Sequence, residues 1–134
     1  MNNPKSISLI FPLYRDKYTV KKVIDKSLKI LKKLKIKYEI IIVDDCCPEK
    51  SGLVALKYSK RNPKIKVIFH KKNYGYGAAI RSGFKNSRYE CVYAVDGDGE
   101  FGIALNDLPR VLKKYIFNDL VITYRYKKRY KTSR

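Results

Sequence analysis

Short apolar runs alternate along this chain with longer stretches in which apolar residues recur every three or four positions. The short runs read as strands and the longer ones as amphipathic helices. Residues 6–11 are predicted as a strand ended by Pro12. Residues 18–34 form a helix whose apolar face is Val20, Val23, Ile24, Leu28, Leu31 and Leu34. Residues 38–43 are a second strand, closed by Asp44-Asp45, and 52–61 a helix stopped by Asn62-Pro63. A third strand over 65–69 leads to a helix over 75–86 that glycines open. A fourth strand over 91–95, a helix over 106–115 and a fifth strand over 119–123 complete the order. Strands this apolar are buried on both faces, which requires a mainly parallel sheet between layers of helices, an α/β fold. No internal repeat, linker or low-complexity tract divides the 134 residues, and 1–134 reads as a single domain.

This order gathers the unusual residues at one place. In open α/β sheets, ligands bind beyond the carboxyl ends of the strands. The first strand ends at Pro12-Leu13-Tyr14-Arg15-Asp16, the second at Asp44-Asp45-Cys46-Cys47, and the fourth at Asp96-Gly97-Asp98-Gly99-Glu100. All three segments therefore share an edge.

The last is the most informative. An apolar run stops at three acids on alternate positions, Asp96, Asp98 and Glu100, with glycines between them. Carboxylates so close repel one another unless a cation sits among them. Hard divalent ions take oxygen ligands, commonly one or two carboxylates with substrate phosphates supplying others. A divalent metal carrying a phosphorylated ligand suits this loop.

Charge and cysteines change the picture less. The formal net charge of +19 favours polyanionic partners: nucleic acid, an anionic bilayer or a phosphorylated substrate. Nine lysines lie between Lys17 and Lys37, on the polar side of the first helix, where a solvated face is the ordinary explanation and membrane attraction the sharper one. The stretch 124–131 interleaves tyrosines with lysines and arginines, yet no nucleic-acid-binding motif accompanies it, so no nucleic-acid partner is expected. Three cysteines, two of them adjacent, and one histidine argue against a disulfide framework or a zinc site and fit a reducing cytosol. No run reaches the roughly 18 to 20 apolar residues of a membrane span, and no secretory signal opens the chain.

Other residues carry two readings. One carboxylate of Asp44-Asp45 caps the turn while the other accepts bonds from a base or ribose. Tyr14 is either core or a stacking platform. The glycines of Gly75-Tyr76-Gly77 hold an anion at a helix start or permit close helix–sheet packing, and packing is the simpler explanation. His70 reads as structural. Cys46 and Cys47 have no adjacent base and are not expected to be nucleophiles.

Together, Phe11-Pro12-Leu13-Tyr14, Ile41-Ile42-Val43-Asp44-Asp45, Asn73-Tyr74-Gly75-Tyr76-Gly77-Ala78-Ala79 and Val95-Asp96-Gly97-Asp98-Gly99-Glu100-Phe101 resemble the inverting family 2 glycosyltransferases. The likeness is strongest to the dolichol- or polyprenol-phosphate mannose and glucose synthases. It implies a three-layer α/β/α GT-A fold, a nucleotide-diphospho-sugar donor, Mg²⁺ or Mn²⁺, and transfer of a hexose to an acceptor such as polyprenyl phosphate. By this resemblance Pro12, Tyr14, Asp16, Val43, Asp45, Gly97 and Arg125 bind the donor nucleotide, and Asp96, Asp98 and Glu100 hold the metal. No catalytic base is assigned.

The chain departs from the family pattern where Arg15 replaces Asn, Asp16 replaces Glu and Cys46-Cys47 replaces Gly-Ser. The resemblance also implies that 1–134 is the donor-binding part without the acceptor half. A cytoplasmic protein, peripheral at an anionic membrane face and prone to self-association, is then expected. The rival readings are a nucleotide-sugar-binding module without turnover and, from another class, a basic nucleic-acid-binding protein.

Overall fold

The computed structural model describes residues 4–15, 17–95 and 101–121. Four parallel strands form one sheet in the order β3-β2-β1-β4: β1 Ser6–Leu13, β2 Lys37–Asp44, β3 Ile65–Phe69 and β4 Val92–Ala94. The helices are α1 Val20–Leu34, α2 Ser51–Arg61, α3 Tyr76–Lys85 and α4 Phe101–Tyr115. Successive strand residues point to opposite faces, and both faces are apolar. Ile7, Leu9, Phe11, Leu13, Ile40 and Ile42 meet side chains of α1, α2 and α4 in the larger core. Ile10, Ile41 and Val43 meet Ala79 and Ile80 of α3 in the smaller one. The three-layer expectation holds.

Pro12 does not end its strand. β1 continues to Leu13, with Pro12 opposite Val43 of β2. The Ser8 N–H bonds to Cys91 O and Ile10 O accepts from Val95 N–H, so this alternate set of β1 residues turns its polar groups toward β4. Pro12 belongs to that set. Lacking an N–H, it cannot make the next rung, and so it ends the β1–β4 ladder while leaving the β1–β2 ladder intact. The chain reverses direction across the sheet between these two strands, going from β1 outward to β3 and back to β4.

Two other boundaries differ from expectation. Helix α4 starts at Phe101 and runs through Pro109. That proline removes only the bond to the Leu105 carbonyl, and Leu105, Leu108 and Leu112 are buried in the larger core. Residues 119–121 are not in the sheet, and Leu120 is 75% exposed; the rest of the expected fifth strand lies outside the described residues. Among the described residues no helix is long and apolar enough to cross a membrane.

The connection into β4 is fixed from inside the sheet. Glu39 faces Ser8 across the β1–β2 ladder, and its Oε1 accepts the Ser8 hydroxyl at 2.6 Å together with the Arg88 N–H. Ser8 Oγ accepts the Tyr89 N–H at 3.2 Å. Lys66 Nζ stands 2.8 Å from Glu39 Oε2 as an ion pair, without the alignment of a hydrogen bond. One buried carboxylate thus ties the α3–β4 loop to the sheet.

The glycines of α3 divide differently from the sequence expectation. Gly83 is the packing glycine: a Cβ there would overlap the Ile10 side chain. No described residue lies within 4 Å of a Cβ at Gly75 or Gly77. Gly75 is required by its backbone, at φ 95°, and Gly77 faces open space. Close packing therefore explains neither glycine at the helix start. Two departures from the family pattern also find a backbone meaning. Arg15 and Cys46 adopt left-handed φ of 59° and 57°, the region that Asn and Gly, the residues the resemblance implies at those positions, tolerate best.

Gly83→Ala should lower the melting temperature, because overpacking costs about 1–3 kcal/mol against a helix-propensity gain of about 1 kcal/mol. Gly77→Ala should hold it or raise it, with a stability gain of up to roughly 0.4–1 kcal/mol. Thermal unfolding of both variants checks the assignment, and equal effects would contradict it. Chemical denaturation of Cys46→Gly should show a gain of up to about 1 kcal/mol as left-handed strain is relieved, whereas a loss would mean the thiol's contacts outweigh that strain.

Candidate functional site

Asp44 ends β2 and Asp45 follows it, and the two consecutive side chains point to opposite faces of the sheet. Asp44 is buried. Its Oδ1 accepts the Cys47 N–H and its Oδ2 the Gly52 N–H, both at 2.7 Å. It therefore closes the β2–α2 turn and holds the first turn of α2, on the side of the larger core. Helix α2 has no side-chain cap from its own N-cap residue, Lys50, which is itself left-handed. Asp44 is the capping member of the pair.

Asp45 serves the other side. Its Oδ1 accepts from His70 Nδ1 at 2.7 Å and from the Tyr74 N–H at 2.9 Å, and its Oδ2 accepts the Gly75 N–H at 2.8 Å. Burial pushes its pKa up, but the His70 bond and the two backbone donors outweigh burial and hold the carboxyl below its ordinary range. Asp45 thus binds the β3–α3 connection to β2 and, among the described residues, retains one acceptor direction on Oδ2.

The structure brings most of the described candidate residues together. Pro12 and Val43 are Cα partners, and the Asp45 N–H bonds to Leu13 O at 3.1 Å. Val43 is fully buried, its side chain in the core under α3 and its backbone between β1 and β3. Tyr14 is 41% exposed, with the Arg15 guanidinium 5.3 Å from its ring centroid, and is not core. Asp16, Asp96, Gly97, Asp98, Glu100 and Arg125 lie outside the described residues. Among the described residues no three His, Cys, Asp or Glu side chains form a metal cluster.

Sequence reasoning missed two participants at this edge. His70 continues from β3, its N–H bonded to Asp44 O at 2.9 Å, and its ring links Asp45 to Ser82 of α3. The available signal was a histidine at a strand end beside a Gly-rich helix start. Cys47 is the second. Its Sγ accepts the Arg15 N–H at 3.0 Å and lies 3.1 Å from Ser51 Oγ, joining the β1–α1 loop to the start of α2. Burial pushes the thiol up, yet the Ser51 hydroxyl and the N–H groups of Ser51, Arg15 and Glu49 outweigh burial and hold it below its usual value. Nothing in the sequence signalled that role.

The four parallel strands end on one edge, where the buried Asp45 carboxylate at the end of β2 holds the Gly-rich start of α3 and the exposed Tyr14 follows β1. In α/β sheets nucleotides bind at such a carboxyl edge, where the strand order reverses.

Comparison with known proteins agrees with this geometry. The human dolichyl-phosphate beta-glucosyltransferase is 34% identical over 102 residues, covering 71% of this chain and 32% of the relative. The chain spans about a third of the length of the curated relatives it matches. Staphylococcus aureus TarS 1–349 in complex with UDP-GlcNAc superposes with a TM-score of 0.62 at 25% identity, over 83% of this chain and 32% of that one. The Pyrobaculum calidifontis mannosyltransferase PcManGT, solved with GDP-Man and Mn²⁺, gives 0.65 at 15% identity over 81% and 32%, a likeness of fold. These neighbours share the GT-A architecture. The family model for glycosyl transferase family 2 matches residues 8–134, and the chain belongs to that family.

Proposed function

We propose that this chain binds a nucleotide-diphospho-sugar at the carboxyl edge of its sheet and is the donor-binding part of an inverting glycosyltransferase whose acceptor is polyprenyl phosphate. The observation that carries the reading is that Tyr14 after β1 and Asp45 after β2, which holds the start of α3, stand at the carboxyl edge of the sheet in a family 2 chain. A relative named for dolichyl phosphate and a neighbour solved with UDP-GlcNAc support the acceptor and donor classes. The exposed tyrosine offers a face to the base, and Asp45 Oδ2 an acceptor to an N–H or O–H of the nucleoside.

Asp96, Asp98 and Glu100 follow β4 directly in sequence. Their oxygen-only donor set suits Mg²⁺ or Mn²⁺, and the neighbour solved with Mn²⁺ favours such an ion. When bound, the ion would neutralise charge on the departing nucleoside diphosphate. Arg125, whose fork matches phosphate oxygens, would add to that role. A phosphate acceptor is already anionic and needs little general-base assistance. On α1, Lys22, Lys29 and Lys33 form an exposed stripe opposite the buried face of Val23, Ile24, Ser27 and Leu31. That stripe would hold the protein at an anionic membrane face, where a lipid-linked acceptor resides.

Titration calorimetry with UDP and GDP in Mn²⁺ tests the reading. Asp98→Asn should weaken binding by about tenfold or more, the equivalent of losing one charge-assisted contact, and Asp96→Asn by less. Neither should lower the melting temperature without metal, because each removes a like-charge repulsion. Unchanged affinity in both variants would sink the metal-loop reading.

A further inference from the structure

Asp45, His70 and Ser82 form a continuous relay: Asp45 Oδ1 to His70 Nδ1 at 2.7 Å, and His70 Nε2 to Ser82 Oγ at 2.7 Å. The order is that of a hydrolase triad, but the setting is not. Ser82 sits within α3, where the nearby N–H groups are engaged in helix bonds, so no donor pair remains to hold an oxyanion beside Oγ. The relay instead acts on the carboxylate.

We propose that His70 is a positioning residue that fixes the Asp45 carboxylate for contact with the donor nucleoside, with Ser82 setting the ring's orientation and tautomer. This deepens the donor-site reading and rests on it. A carboxylate offers about four acceptor directions. Among the described residues three are filled, by His70 and the Tyr74 N–H on Oδ1 and by the Gly75 N–H on Oδ2. The His70 and Tyr74 bonds together fix Oδ1, and with it the direction left on Oδ2.

An ionised carboxylate only accepts, so Nδ1 must donate. In the neutral ring Nε2 must then accept the Ser82 hydroxyl proton, which selects the Nδ1–H tautomer. Ser82 thereby uses a hydroxyl that a helix-interior serine ordinarily turns back to its own helix. The Tyr74 ring closes the edge of the imidazole in a T-shaped contact at 5.4 Å. The side chains of His70 and Asp45 are only 10% and 6% exposed, so water competes little with these bonds.

The decisive comparison uses two replacements that mimic different ring nitrogens. His70→Asn places an amide N–H near the Nδ1 position, whereas His70→Gln reaches the Nε2 position. Calorimetry with UDP and GDP should show His70→Asn within about threefold of the parent, and His70→Gln and His70→Leu weaker by about tenfold, the equivalent of one charge-assisted hydrogen bond. Nitrogen NMR of the parent should show the Nδ1–H tautomer, and Ser82→Ala should give a mixture.

Asn and Gln variants that melt alike and bind alike would overturn the proposal, as would an Nε2–H ring in the parent. Asp45→Asn separates the two levels of the argument. If it weakens nucleotide binding while His70→Leu does not, positioning is wrong and the donor-site reading stands. If Asp45→Asn binds as the parent does, the assignment of Asp45 to the donor site is wrong, and positioning falls with it.

Discussion

Two adjacent buried carboxylates organise the business edge of this protein. Because a strand alternates its side chains, Asp44 and Asp45 cannot serve the same layer. Asp44 collects the N–H groups of Cys47 and Gly52 on the side of α1, α2 and α4. Asp45 collects Tyr74, Gly75 and His70 on the side of α3. Buried charge is costly unless its lone pairs are met by donors, and here each carboxylate is met by backbone N–H groups of the segment it positions. The cost of burial and the placement of the loops are therefore one constraint.

The same edge concentrates backbone strain. Arg15, Cys46 and Lys50 are left-handed non-glycine residues in the loops after β1 and β2. Such conformations persist only where surrounding contacts hold them. The contacts are present: the Arg15 N–H bonds to Cys47 Sγ, the Lys50 N–H to Cys47 O, and Cys46 Sγ lies 3.7 Å from Lys71 O. Cys47 is thus a structural crosspoint, which explains a buried thiol beside a site that has no evident use for a nucleophile.

Much of the fold was legible because it rests on local periodicity. The apolar runs of β1, β2 and β3 and the three-to-four spacing along α1 give element type and order without knowledge of partners. What was hidden depends on distant pairing. Pro12 reads as a strand end until β4 is known to lie on one side of it and β2 on the other. Gly83 looks like any helix glycine until Ile10 is seen beneath it. Glu39 is a polar residue in an apolar strand, and its role requires Arg88, some fifty positions later. At the site, the residue types at the ends of β1 and β2 already pointed to this edge. The division of labour between Asp44 and Asp45, and the use of His70, required knowing which face each residue takes. The resemblance implied the ligand class where composition and spacing supplied only an oxygen-rich loop.

Amide hydrogen exchange tests the central claim most directly, because it reads the four backbone donors that the carboxylates hold. If Asp44 and Asp45 organise this edge, the amides of Cys47, Gly52, Tyr74 and Gly75 exchange far more slowly than an unstructured peptide would, although they lie in connections or at a helix start. Exchange of these four amides at unprotected rates, with the strand amides of β1 and β2 protected, would contradict the account.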